Sequence, residues 1–280
     1  MMWRAILAVF WCCVGAGRAG GARAAYAGRY RVRADPLQTL DLFVPSSPGR
    51  HRLVVFLHGG GWSAGDKRLG VKIAGPIVNA GYALASVDYR LVPQTDPAGA
   101  TEDAARAIAY LLANAGKLGI DEQGSRCLAI PPGHTWWLLG TDASYLKNAG
   151  VDPARLAAII PMDGVFDVTA NLTHYPREKP LAAFGRDTVS WKHLSPVELL
   201  ASSSVHPRIC VLHDDTNARF VEQASLFEAA LRRAGANFET GVAHGLSHGE
   251  VAQTFSDPGT PMAPFVLGCL SRALPEPLGR

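Results

Sequence analysis

The stretch LVVFLHGGGW, Leu53–Trp62, joins a short apolar run to three consecutive glycines. A continuous apolar run with β-branched residues reads as a strand buried on both faces, the kind found in parallel sheets. Three glycines add nothing to its packing. Glycine serves where backbone amides must approach a ligand closely or take up positive φ, and a triplet leaves several N–H groups free to face a developing negative charge. Gly59, Gly60 and Gly61 are therefore expected to form an oxyanion hole at the end of that strand.

Outward from this point the chain alternates between strand-like and helix-like segments. Strands are expected at Gln38–Val44, Arg52–Leu57, Tyr82–Tyr89, Arg126–Ile130, Leu156–Met162, Arg208–Leu212 and Asn237–Ala243. Helical periodicity marks Leu69–Asn79, Thr101–Ala115, Val221–Ala234 and Pro264–Ala273, the second opening on Thr101 as a cap before Glu102. This rhythm predicts a doubly wound, mostly parallel sheet. Residues 171–204, rich in turn formers and holding Phe184, Trp191 and His193, interrupt it. With 280 residues, 48% of them hydrophobic and 18% charged, the chain is long enough for one sizeable core. A net charge of +3, without clustering, argues against a nucleic-acid partner.

The amino terminus reads as an export signal: Arg4, an apolar run from Ala5 to Gly17, and the small-residue site Ala22, Arg23, Ala24. Residues 1–24 are expected to be removed, leaving 25–280 as one domain in an exported, periplasmic or secreted protein. The apolar run is shorter than the roughly 20 residues of a membrane span, so no stable span is expected after removal. Cys12 and Cys13 fall inside the signal. Cys127, Cys210 and Cys269 remain, and an odd number spread over apolar segments reads as buried thiols rather than a disulfide framework. Neither a metal-ligand spacing nor a dinucleotide fingerprint is present, so no metal and no cofactor is expected.

Three motifs together resemble the α/β-hydrolase superfamily, in particular its hormone-sensitive-lipase-like and arylformamidase-like carboxylesterases. They are HGGGW at His58–Trp62, DYRLVPQ at Asp88–Gln94, and IPMDGVFD at Ile160–Asp167, which is similar to that family's PLSGVYD loop. The resemblance covers nearly all of 25–280. It implies an α/β-hydrolase fold with a small cap at 171–204, and a serine that attacks an ester or amide carbonyl of a small-molecule substrate. A histidine would act as base and an acid would orient that histidine. His248, in LSHGE after the last strand, stands where such a family carries its histidine, with His244 as competitor. His58 would support the oxyanion loop. The acid falls in HDDTNARFVEQ, His213–Gln223: Asp215 is the choice, Asp214 fits less well, and ungapped counting from Glu222 and Gln223 reaches Asn217 instead. Asp88, Tyr89 and Arg90 read as a structural hydrogen-bond cluster.

The nucleophile is not where the resemblance puts it. Two GxSxG strings exist, Gly61–Gly65 and Gly245–Gly249, but Ser63 lies in the oxyanion loop and Ser247 after the last strand. The chain order serine, acid, histidine rules out both. At the expected elbow, near Ile130 and Pro131, the chain reads LAIPPGHTWWLLGTD, where Pro131 and Pro132 lack amide donors and Thr135 reads as a helix cap. One permitted codon set for Leu128–Trp137, read from its third base, translates as GHSAGAHLV, which is an elbow of the resembling family. This suggests an out-of-frame reading from near Glu122 to Trp137. Two function classes follow: a serine-type carboxylic-ester hydrolase if that elbow is real, or a catalytically inactive binding protein of the same fold if the chain is as it stands.

Overall fold

The computed structural model describes residues 24–30, 35–121, 127–130, 135–202, 207–257 and 259–273. These form an eight-stranded sheet: β1 (Ala24–Arg29), β2 (Thr39–Phe43), β3 (Leu53–Leu57), β4 (Ala83–Val87), β5 (Cys127–Ile130), β6 (Leu156–Ile159), β7 (Arg208–Asp214) and β8 (Phe238–Ala243). The order across the sheet is β1-β2-β4-β3-β5-β6-β7-β8. The pairings β1–β2 and β2–β4 are antiparallel and the other five are parallel. The doubly wound, mostly parallel arrangement expected from the sequence is the one observed. β1 was not anticipated.

The apolar run that opens the reading is β3, flanked by β4 (Leu53↔Ala83 through Leu57↔Val87) and β5 (Val54↔Leu128 through Phe56↔Ile130). All five of its residues are buried. Because successive side chains of a strand point to opposite faces, Leu53, Val55 and Leu57 enter one core while Val54 and Phe56 enter the other. The first core is closed by helix Pro97–Ala113, through Ala104, Ile108 and Leu111, and by helix Ala218–Arg233, through Phe227 and Leu231. Helix Val71–Asn79 closes the second with Ile73 and Ile77, joined by Val266 and Leu270 of helix Met262–Ala273.

Two expectations need correction. Thr101 does not cap its helix. That helix starts a turn earlier, where Asp96 accepts from the Gly99 amide at 2.8 Å and Pro97 occupies the first turn; Thr101 is buried inside it and donates to the Pro97 carbonyl at 2.7 Å. Nor are Cys210 and Cys269 free thiols. Cys210 on β7 and Cys269 on the last helix form a disulfide, with Cα atoms 6.3 Å apart and both residues fully buried. The side chain of Cys127 lies outside the described residues.

Between β6 and β7 the chain makes short helices at Val168–His174, Glu178–Phe184, Thr188–His193 and Pro196–Leu199. They share a small core of Val165, Val168, Leu172, Ala183 and Phe184, against which Trp62, Trp191 and Leu194 pack. Among the described residues no helix is long and apolar enough to cross a membrane. The expected signal segment, apart from Ala24 at the start of β1, lies outside them.

Candidate active site

The chain leaves β3 for β4 on one side, while β5 pairs with β3 on the other. At such a switch point the loops after the parallel strands diverge and open a crevice at their carboxyl ends. The HGGGW loop fills the β3 side of it. Gly60 and Gly61 take φ of 134° and 60°, and Trp62 follows with φ 64°. A Cβ on Gly60 would collide with the Ala64 carbonyl, so only glycine allows that turn. Trp62 is anchored from outside: its carbonyl accepts from the Val92 amide at 2.8 Å, and its ring meets Phe184 edge-on at 4.8 Å. Helix Glu178–Phe184 thus packs against the glycine loop.

His58 sits beneath this loop, as expected of a supporting residue. Its Nδ1–H donates to the Gly59 carbonyl at 2.8 Å, its ring stacks on Tyr89 at 4.5 Å, and Tyr89 Oη donates to the His58 carbonyl at 2.6 Å. Asp88 binds the Lys67 amide (2.6 Å) and Thr39 Oγ1 (3.0 Å), with His58 Nε2 at 3.6 Å, and Arg90 makes a two-pronged pair with buried Asp103. Burial lowers the His58 pKa and raises that of Asp88. All three groups of the DYR string are held in a structural network.

His248 opens the short helix His248–Gln253. Ser247 is its N-cap in a capping box with Glu250, which accounts for the second GxSxG string as a helix start. The imidazole of His248 stacks on Phe220 at 4.3 Å. Its Nδ1 lies 3.1 Å from Oδ2 of Asp163, a carboxylate that is 1% exposed, whereas His248 itself is half-exposed. Asp163 follows β6 with φ 52°, a conformation that Asp and Asn tolerate better than most residues. Its position is fixed by β7: the Asp163 amide donates to the Leu212 carbonyl at 3.0 Å, and Oδ1 accepts from the Asp214 amide at 2.7 Å.

The sequence-based choice of acid is not the residue that reaches His248. Asp215 Oδ2 lies 2.8 Å from His244 Nδ1, and its Oδ1 accepts from the Gly245 amide, so the predicted acid and the competitor histidine form an exposed pair of their own. The cause is the tight turn at the end of β7, where Asp214 Oδ1 accepts from the Thr216 amide (2.9 Å), Thr216 Oγ1 (3.1 Å) and the Asn217 amide (2.7 Å). That turn curls the loop so that Asp215 points outward. Asn217 instead caps helix Ala218–Arg233, accepting from the Arg219 amide. Asp163 was missed, although the sequence held a sign of it: an acid stands in PMDGVFD where the resembling loop has serine.

Gly59, Gly60, Gly61, Asp163, Phe220 and His248 line one cavity of about 510 Å³, together with residues 176–180. The triple-glycine turn and the predicted histidine are therefore brought together. The expected nucleophile position is not open to the same test, because 131–134 and the side chains around them, Ile130 and Thr135 included, lie outside the described residues. Just beyond, Trp137 is buried between Phe166 (4.5 Å) and Phe227 (5.1 Å), and its indole Nε1–H finds no hydrogen-bond partner among the described residues. Ser63 is exposed just after the triple-glycine turn.

Comparison with known proteins agrees with this architecture. The chain is 24% identical over 238 residues to the probable isoprenylcysteine alpha-carbonyl methylesterase ICME of Oryza sativa subsp. japonica, matching 77% of this chain and 56% of that one. It thus spans about half the length of that relative. A shorter match, 40% identity over 58 residues, links 20% of this chain to 19% of the kynurenine formamidase of Drosophila melanogaster. Among solved structures, esterase B from Lactobacillus rhamnosis superposes with a TM-score of 0.77 at 19% identity, over 91% of this chain and 86% of that one. A truncated carbohydrate esterase from gut microbiota gives 0.75 at 18% identity, over 89% and 96%. The fold is that of the α/β-hydrolases. The BD-FAE family matches residues 40–230, more than half of the chain, and the chain belongs to that family.

Proposed function

We propose that the cavity is the active site of an exported carboxylic-ester hydrolase that works by a serine mechanism on a small-molecule ester. The observation that carries the reading is His248, placed beside the glycine loop with Nδ1 on buried Asp163, which leaves Nε2 for proton transfer. In this scheme the elbow serine loses its proton to Nε2 and attacks the ester carbonyl. Asp163 holds the resulting imidazolium, and the amides of Gly59, Gly60 and Gly61 receive the negative charge. Collapse of the tetrahedral adduct breaks the ester C–O bond, and the alcohol leaves with the proton from His248. Water, deprotonated by the same nitrogen, then releases the acid.

The serine itself belongs to the alternative frame, GHSAGAHLV. The buried Trp137 indole, which finds no acceptor among the described residues, supports that frame, since a buried indole N–H normally has one. Export is supported by the Cys210–Cys269 disulfide, a bond that persists in oxidising compartments and is rare in reducing ones. A second reading rests on the residues as they stand: with proline at 131 in place of a nucleophile, the same pocket is a binding site.

Hydrolysis of short-chain 4-nitrophenyl esters separates the two. The chain as it stands is expected to show at most weak turnover, from oxyanion stabilisation and binding alone, and restoring GHSAGAHLV is expected to raise kcat/KM by about 10³-fold or more. Equal activity in both would show that the nucleophile lies elsewhere. Nucleotide sequence incompatible with the second frame would end the elbow argument.

A further inference from the structure

The cavity wall carries three cations, Arg177, Lys179 and Arg219, and Arg219 is the least expected of them. It lies in the first turn of helix Ala218–Arg233, where the helix dipole disfavours positive charge. It is half-buried, so it has also lost part of its hydration. Desolvation and then the charge of Arg177 hold its pKa below the usual arginine value. Several other arginines find acids: Arg90 binds Asp103, Arg106 binds Glu102, Arg232 binds Glu228 and Arg272 binds Glu239. Arg219 has none within ion-pair distance among the described residues. Its Nε–H donates to Asn171 Oδ1 at 2.6 Å, and its guanidinium carbon lies 5.2 Å from the Phe220 ring centroid.

Two acids share the wall, and neither compensates. Asp163 is engaged by His248 and the Asp214 amide, and Glu178 is an exposed residue that opens helix Glu178–Phe184. A partly desolvated guanidinium that finds no counter-charge among the described residues is unfavourable by itself. A carboxylate presented by a ligand would meet a planar, two-pronged donor there. The placement also suits an ester. Phe220 stacks on His248, so the cation stands one residue along the chain from the ring that touches the candidate base, and Lys179 runs past Gly61, its Cδ 3.9 Å from where a Cβ on that glycine would be.

We propose that the cavity selects esters that also carry a carboxylate, with Arg219 as the specificity-determining residue and Arg177 and Lys179 adding to the field. This rests on the ester-hydrolase reading of the same pocket. The test compares monoethyl glutarate with ethyl valerate, which differ by a terminal carboxylate in place of a methyl group. Binding is measured by calorimetry, and hydrolysis by acid release, for the chain as it stands and for the form with the elbow restored.

Monoethyl glutarate is expected to bind about tenfold tighter than ethyl valerate, in line with a charge-assisted pair that is partly shielded from water. The preference should fall towards one in Arg219→Gln, survive in part in Arg219→Lys, and stay at the unsubstituted value in Arg232→Gln, which removes a solvent-facing cation from the same helix. Equal binding of the two esters, or a preference untouched by Arg219→Gln, overturns the proposal. Preferential binding without hydrolysis in either form would uphold carboxylate selection and reject the hydrolase reading. Hydrolysis of both esters without preference would do the reverse.

Discussion

At the scale of single residues, the choice of acid is the sharpest question. A carboxylate on Nδ1 fixes the tautomer that exposes Nε2 as base and stabilises the imidazolium, and its replacement by an amide in a serine protease triad lowers turnover about 10⁴-fold. Asp163 is the group on Nδ1 here, and Asp215 is spent on His244. In the form with a restored elbow, Asp163→Asn should therefore reduce kcat by about 10³-fold or more while Asp215→Asn changes it less than about threefold. Steady-state kinetics with a 4-nitrophenyl ester reads both, and the opposite ranking would return the role to Asp215. Asp214 behaves differently. Burial, and then the neighbouring Asp163 charge, raise its pKa above the ordinary carboxylate value. The folded state therefore holds its proton more tightly than the unfolded chain does, so its contribution to stability is greatest below about pH 4 and is lost as pH rises through the raised value. Asp214→Asn keeps an oxygen for the Thr216 and Asn217 donors and cannot ionise. Its Tm relative to the unsubstituted protein should climb between about pH 3 and pH 7. A Tm difference independent of pH would mean that the Asp214 carboxyl is not perturbed.

At the scale of elements, the parts legible in the sequence are those written in short-range pattern. β3 was readable because its whole run is apolar and the next residues are glycines, and the helix at 97–113 because its apolar positions recur at the helical period. Its start was misplaced by a turn, since Thr101 and Asp96 are both acceptable caps and the decision rests on Pro97, which fits the first turn and cannot follow deeper. β1 escaped notice because its residues AAYAGR carry neither an apolar run nor clean alternation; it is a strand only because β2 offers an edge. The candidate site divides the same way. The glycine loop and His248 carry local signatures, whereas Asp163 reaches His248 across 85 residues of chain, through a turn that only the β6–β7 pairing creates. Arg219 is likewise, in sequence, one more cation at a helix start, and its place in the cavity wall arises only from the fold.

At the scale of the whole molecule, the disulfide is the feature that sequence arithmetic missed, because Cys210 and Cys269 lie 59 residues apart on a strand and a helix that meet only in the folded core. The crosslink ties β7, which carries the turn that holds Asp163, to the last helix of the described chain. Closing a loop of that length in the unfolded state is worth about 4 kcal/mol in the chain-entropy treatment. In a domain of this size that corresponds to a fall in Tm of about 10 °C on reduction. The bond also follows the compartment. Protein produced by export into an oxidising space, denatured without reductant, should yield Cys210 and Cys269 peptides that resist alkylation until a reductant is added. Protein made in a reducing cytosol should yield both peptides alkylated under the same denaturing conditions, and its folded form should have the lower Tm. Alkylation of both cysteines in exported protein denatured without reductant would show that the two sulfurs are not bonded, and it would remove the physical support for export along with the crosslink.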